Sequence, residues 1–275
     1  METWLITGCS RGLGRSLAKY ALEKGDNVVL TARKPETLHD LAAAYPAQTL
    51  AVPLDVTDFI DIQAAVRAAE RKFGGVDVLV NNAGYAYRAA IEEGEWDKVE
   101  ALYGTNLFGP IRLIRAVLPY MRSQKKGAII NLSSIAAVKA AVGSGFYASA
   151  KAGLEGMSSS LRRELQPLGI KVMVVEPGPF RTGFQDAVTD SAMKIEDYAP
   201  TAWKFRKANL NITHDEKGDP DRAAKIIVDT IARKDYPEHL VLGASAVDYI
   251  KTTFQERLQE IDQWADLSRQ ADFPE

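Results

Sequence analysis

The chain has 275 residues, 46% of them hydrophobic and 25% charged, the composition of an ordinary folded protein, which excludes disordered, collagen-like and coiled-coil classes. Thirty-four Lys+Arg against 36 Asp+Glu leave a net charge of −2, so no bulk field draws it to nucleic acid or to an anionic membrane. One cysteine, Cys9, excludes an intrachain disulfide and fits a reducing compartment, and three histidines that stand apart in sequence, His39, His214 and His239, give no reason to expect a metal.

Short apolar runs rich in β-branched residues alternate with longer segments of helical period. That pattern predicts a doubly wound α/β fold, a parallel sheet of about seven strands with helices on both faces. The first strand is expected over 4–7 and a helix over 12–24, which Gly25 ends as a left-handed cap. Strands follow over 27–32, 49–54 and 76–80, with helices over 35–45 and 58–73, the second capped by Thr57 or Asp58. A long helix over 95–123, a strand over 128–132, a helix over 145–166 and a strand over 171–175 come next. A helix over 221–233, a strand over 240–242 and a helix over 245–268 close the chain. No linker or repeat interrupts this alternation, so residues 1–275 read as one domain. The segment 177–220 offers no strand and mixes Phe180, Phe184, Tyr198, Trp203 and Phe205 with charges. An insertion there, after a strand end, would cover whatever binds at the carboxyl edge of the sheet. No basic segment precedes the short apolar run at the N-terminus, and no run approaches the roughly 18 residues of a membrane span. A cytoplasmic protein without an integral membrane segment is expected.

Thr7-Gly8-Cys9-Ser10-Arg11-Gly12-Leu13-Gly14 joins the first strand to the first helix. Glycines at that junction allow a tight turn and bring backbone N–H groups and the helix N-terminus to a pyrophosphate, so Gly8, Ser10, Arg11, Gly12, Leu13 and Gly14 are candidate dinucleotide contacts. Cys9 is expected to fill space. The end of the second strand chooses between dinucleotides: an acid there would bind a ribose 2′-hydroxyl, but the sequence is Thr31-Ala32-Arg33-Lys34. A cation in that place, with Arg11 beside the loop, suits a 2′-phosphate, which favours NADP(H) over NAD(H). Asp55 and Val56, at the end of the third strand, are candidates for the adenine, and Asp55 also reads as a helix-start residue.

A Tyr-x-x-x-Lys spacing puts a phenol and an ammonium on one helical face. Ten Tyr and 17 Lys make about 0.6 such pairs by chance, and the chain has two. Tyr20 and Lys24 lie on the helix after the glycine loop, which runs away from the carboxyl edge, and read as structural. Tyr147 and Lys151 open a helix just after the strand over 128–132, where both can face that edge, with Ser134 at the strand's end.

Together, Thr7-Gly8-x-x-x-Gly12-x-Gly14, Asp55, Asn81-Asn82-Ala83-Gly84, Asn106, Ser134, Tyr147-x-x-x-Lys151 and Pro177-Gly178 resemble the short-chain dehydrogenase/reductase family of the compact single-domain kind. The likeness in order and spacing covers residues 3–185, and residues 186–275 match only in general layout. It implies an oxidoreductase that interconverts ketones or aldehydes and alcohols by hydride transfer. Tyr147 would be the general acid/base, with Lys151 lowering its pKa and hydrogen-bonding the nicotinamide ribose. Ser134 would hold the substrate oxygen, and Asn106, inside the long helix, would hold a water of a proton relay.

The same resemblance implies that Asn82, Ala83 and Gly84 support the adenine ribose and the sheet, Asn82 more as structure than as ligand. Pro177 and Gly178 would pass the nicotinamide, and Thr182 would hydrogen-bond its carboxamide. The run from Pro177 to Thr182 is similar to the hydroxysteroid dehydrogenase-like branch. Ser134, Ala136, Val142, Tyr147, Phe180 and Phe184, with Tyr85, Met193, Trp203 and Phe205, are expected to form an apolar pocket for a small hydrophobic carbonyl or alcohol. A homodimer or homotetramer is implied, with Gly153, Met157 and Ser160 permitting close helix packing. The rival reading is a catalytically silent NADP(H)-binding sensor of the same fold, against which the intact Ser134, Tyr147 and Lys151 set argues.

Overall fold

The computed structural model describes residues 1–208 and 215–273, so His214 lies outside the described residues. The first part alternates as expected through β1 (Thr3–Ile6), α1 (Gly12–Glu23), β2 (Asn27–Ala32), α2 (His39–Ala44), β3 (Thr49–Pro53), α3 (Phe59–Phe73) and β4 (Val78–Asn81). Every residue of β1, β2 and β4 is buried, because both faces of the sheet are covered. In β1, Trp4 and Ile6 join one core with Leu13 and Leu17 of α1, while Leu5 joins the other with Ile62 and Val66 of α3. Gly25 follows α1 at φ +90°, the left-handed cap that glycine adopts without strain. Asp58, rather than Thr57, caps α3, its carboxylate accepting from the N–H groups of Ile60 and Asp61.

The middle of the chain departs from the expectation. After β5 (Tyr87–Arg88), the single helix expected over 95–123 is two, α4 (Trp96–Tyr103) and α5 (Gly109–Gln124), joined by a π turn over Gly104–Phe108 that holds Asn106. A proline explains the position of the break. Pro110 sits in the first turn of α5 and has no N–H to give the carbonyl four residues back, which is that of Asn106. β6 (Gly127–Leu132), α6 (Gly145–Leu165) and β7 (Ile170–Pro177) then complete the centre of the sheet.

The segment 177–220 is not free of strand: β8 (Thr189–Asp190) pairs in parallel with β5, Tyr87 against Thr189 and Arg88 against Asp190. Two residues on each side are too few to leave a periodic signature. A π turn over Ala199–Trp203 and α7 (Lys204–Ala208) follow. A buried carboxylate fastens this segment. Glu93 has 0% side-chain exposure and meets Arg206 at 3.2 Å, Trp203 Nε1 at 2.6 Å and the N–H of Ile195 at 2.9 Å. Burial pushes this carboxyl up, yet the N–H of Ile195, the Trp203 indole and the Arg206 charge together hold it below the usual carboxylate range.

The chain closes with α8 (Pro220–Ala232), β9 (His239–Leu242) and α9 (Ala244–Arg269). The seven-stranded sheet runs β3-β2-β1-β4-β6-β7-β9, all parallel. Strand order reverses between β1 and β4, the place where a doubly wound sheet opens a crevice at its carboxyl edge. Among the described residues no helix is long and apolar enough to cross a membrane.

Candidate active site

A cleft of about 1710 Å³ runs along that edge, floored by the strand ends and roofed by the segment after β7. All of the expected site residues line it except Gly14, Asn106, Val142, Met193 and Trp203. Its first wall is the glycine loop. Gly8 and Gly12 have φ of +75° and +58°, and a side chain at Gly12 would meet the Thr182 carbonyl at 2.8 Å. At these two positions the loop offers backbone without a side chain, which suits close approach of a phosphate. Gly14 is a packing glycine instead, since a Cβ there would run into Asn82 Nδ2 and the Gly8 carbonyl.

The loop is braced from β4. Thr7 Oγ1 accepts from the N–H groups of Asn82 and Ala83, both at 2.9 Å, and Asn82 Nδ2 donates to the Thr7 carbonyl at 2.8 Å. Asn82 is thus a strut, and Thr7 is a positioning residue whose signal was its place just ahead of Gly8. Cys9 is buried and its thiol is pushed up to about 12 by burial, an inert filler. At the ends of β2 and β3, exposed Arg33 and half-buried Asp55 face the cleft. Asp55 Oδ1 accepts from Thr57 N–H at 2.8 Å and Thr57 Oγ1 at 2.7 Å, which fixes the turn into α3. Burial raises the Asp55 carboxyl, but the Thr57 bonds and the Arg33 charge hold it below its usual range.

At the other end, α6 presents Tyr147 and Lys151 to the same space. Ser134 lies two residues past β6, its Oγ accepting from Ala136 N–H at 3.2 Å, and its hydroxyl draws the Tyr147 phenol down. Lys151 Nζ donates to the Leu132 carbonyl at 2.7 Å and lies 5.9 Å from the Tyr147 ring centre. The expected lowering of the phenol by Lys151 is not found in this arrangement. Burial pushes Tyr147 up to about 12, with only Ser134 opposing, and burial pulls Lys151 down to about 8, with Glu155 opposing. Asn106 is fully buried, and both polar atoms of its side chain are taken by the Tyr85 backbone, Oδ1 at 3.2 Å and Nδ2 at 2.8 Å. Its side chain therefore positions the 83–85 stretch, and its main-chain carbonyl is the group that Pro110 leaves without the helical donor.

The apolar wall is partly as expected. Ala136, Phe180, Phe184, Tyr85 and Phe205 face the cleft, and Phe184 packs 6.1 Å from Tyr147 ring to ring. Val142 and Met193 are instead turned to solvent, at 54% and 47% exposure, and Trp203 spends its indole on Glu93. An aromatic or apolar residue in a covering segment does not reveal which side it faces. Trp96, Tyr103, Phe146 and Tyr249 line the cleft unannounced, since they come from helices whose patterns only said amphipathic.

The isolation of His239 is corrected by the fold. β7 and β9 are neighbours, so His239 Nδ1 sits 2.5 Å from Glu176 Oε1, and Glu155, Glu176 and His239 bring their polar atoms within 4.8 Å of one another. Sequence separation hid this contact, because it depends on strand register alone.

This geometry is matched by known proteins. A short-chain dehydrogenase family model matches residues 2–192. The oxidoreductase BOA17 of Botryotinia fuckeliana is 37% identical over 268 residues, 97% of this chain and 98% of that one. A 3-ketodihydrosphingosine reductase of Bacteroides thetaiotaomicron is 35% identical over 243 residues, 87% of each chain. A solved short-chain dehydrogenase from Streptomyces avermitilis aligns at 38% identity and a TM-score of 0.92, covering 99% of this chain and 100% of that one. The chain belongs to the short-chain dehydrogenase family, and it is an oxidoreductase acting on carbonyl or alcohol groups.

Proposed function

We propose that the chain is an NADP(H)-dependent reductase of a hydrophobic ketone or aldehyde, with residues 1–275 acting as one catalytic unit. The observation that carries this reading is the joint presence, along one cleft, of the glycine loop, Arg33 at the end of β2, and Tyr147, Ser134 and Lys151. Gly8 and Gly12, both at positive φ on the cleft wall, fit a dinucleotide pyrophosphate. Arg33 and Arg11 would hold its 2′-phosphate, Asp55 and Val56 its adenine end, and Pro177, Gly178 and Thr182 its nicotinamide end. Bound there, the cofactor supplies the hydride.

The chain's own residues handle the proton. A phenol pushed up to about 12 is protonated at neutral pH, the form that donates, so Tyr147 gives its proton to the carbonyl oxygen that Ser134 holds. Lys151, pulled down to about 8, exchanges a proton readily near neutrality and replaces the one Tyr147 loses. The Asn106 carbonyl would hold a water beside it.

Phe180, Phe184 and Phe205 suit an apolar substrate. The name of the Bacteroides relative and the likeness of residues 177–182 to the hydroxysteroid dehydrogenase-like branch point the same way. A cytoplasmic homodimer or homotetramer belongs to this reading, with exposed Gly153 and Ser160 on α6 open to a partner helix. No observation favours a catalytically silent sensor. The test is loss of NADPH absorbance, with NADH alongside, over aryl, steroid, long-chain and oxoacyl carbonyl compounds. Turnover that Tyr147→Phe abolishes is expected with one apolar class, and turnover that survives this change would remove Tyr147 from its role. Arg33→Asp is expected to shift preference toward NADH, and unchanged discrimination would place the 2′-phosphate elsewhere.

A further inference from the structure

Next to Lys151, one turn further along α6 and outside the cleft lining, lies a set of titratable groups that the reaction as described does not use. Lys151 and Glu155 are one helical turn apart, and both are anchored at the end of β6. Lys151 Nζ donates to the Leu132 carbonyl at 2.7 Å, and the hydroxyl of the next residue, Ser133, donates to Glu155 Oε1 at 2.5 Å. Glu176, on β7, is 3% exposed, and its Oε1 is 2.5 Å from His239 Nδ1 on β9. The polar atoms of Glu155, Glu176 and His239 lie within 4.8 Å of one another, and the His239 side chain is 39% exposed. None of these three residues lines the cleft. The row therefore begins at a buried ammonium and ends at an imidazole in contact with water.

We propose that Glu155, Glu176 and His239 form a proton-exchange path between Lys151 and solvent that does not pass through the cleft. The inference rests on the reading of Tyr147 and Lys151 given above. Per turnover one proton moves. Tyr147 gives its proton to the carbonyl oxygen and recovers one from Lys151. The Nζ–H so lost is restored by the Glu155 carboxylic acid through an intervening water, since no ion pair joins the two side chains, and the Glu155 carboxylate is reprotonated by the His239 imidazolium by way of Glu176, with His239 taking a proton from water.

The titrations are placed for this. Burial pushes Glu155 up to about 7, with Ser133 opposing it, Glu176 adding to it, and His239 and Lys151 opposing. Glu176, through its hydrogen bond, raises His239, with Glu155 and Glu238 adding their charges. A Glu155 carboxyl at about 7 next in line to a Lys151 ammonium at about 8 can both take and give a proton near neutrality. A cluster that served only to knit β6, α6, β7 and β9 together would not need a carboxyl poised in that range.

The test is made on the full chain, with Glu155→Gln, Glu155→Asp, His239→Gly and Tyr147→Phe, each checked for an unchanged melting transition. Nitrogen NMR of isotope-labelled lysine follows the Lys151 midpoint and needs no substrate. Removal of the Glu155 carboxylate is expected to move that midpoint down, with partial recovery in Glu155→Asp. With a carbonyl compound that the enzyme reduces, Glu155→Gln and His239→Gly are expected to lower kcat about tenfold on the alkaline side with KM unchanged, and added imidazole is expected to rescue His239→Gly. A wild-type Lys151 midpoint and a wild-type pH profile in Glu155→Gln and His239→Gly would overturn the path. If Tyr147→Phe is inactive in that case, only the path falls. Full activity in Tyr147→Phe would instead remove the underlying reading and the path with it.

Discussion

On α1, the Tyr20 hydroxyl lies 3.2 Å from both carboxylate oxygens of Asp229, and Lys24 Nζ lies 2.8 Å from one of them, with Lys225 at 2.9 Å from the other. On α6, the same spacing sets Tyr147 against Ser134 and Lys151 against a main-chain carbonyl, and no carboxylate among the described residues forms an ion pair with that lysine. The hydrogen bond to Asp229 raises the Lys24 pKa, whereas burial pulls Lys151 down to about 8. A phenol and an ammonium given a counter-charge tie two helices together. Without an ion pair, and buried, they hold protons loosely enough to trade them.

The sharpest way to break this comparison is to remove each hydroxyl in turn. Tyr147→Phe is expected to keep cofactor binding and lower turnover by at least ~100-fold, the usual contribution of a positioned acid/base, while Tyr20→Phe leaves turnover within about twofold. Similar rates for the two variants, measured on one substrate, would erase the distinction. The lysines separate by their pH dependence. The Lys151 pKa is lowered from 10.5 to about 8, so between those values the unfolded chain binds the proton that the folded chain has released, and stability rises with pH there. Denaturant unfolding of Lys151→Met across that range is expected to lack this rise, and its persistence would mean that the burial of Lys151 is not felt. The smallest effect belongs to the structural pair, where Tyr20→Phe, deprived of its bonds to Asp229, is expected to lose about 1 kcal/mol of stability by the same measurement.

The cofactor half of the site was legible because its parts sit where a strand stops. A β-branched run followed by glycine, by Arg33, by Asp55 or by Ser134 marks a carboxyl edge whatever the rest of the chain does. Lys151 was legible through its spacing from Tyr147, but its environment was not, since the Leu132 carbonyl that holds it carries no residue signature. The break at Gly104–Phe108 had a signal, Pro110, which the apolar periodicity on either side outweighed. Val142, Met193 and Trp203 were misplaced because hydrophobicity in a covering segment says that something is packed and not what it is packed against. The meeting of Glu176 and His239 had no local trace, as only the pairing of β7 with β9 brings them together.

The small β5–β8 ribbon gives the cleft a property of its own. Because Tyr87–Arg88 and Thr189–Asp190 share backbone hydrogen bonds, and Arg88 grips Asp190 at 2.7 Å, the stretch leaving β4 and the roof above it are two leaves of one flap. Neither leaf can be reshaped alone. A bulkier residue in the roof is expected to press on the leaf bonded to it, so a change of substrate preference engineered on one leaf is expected to call for a matching change on the other.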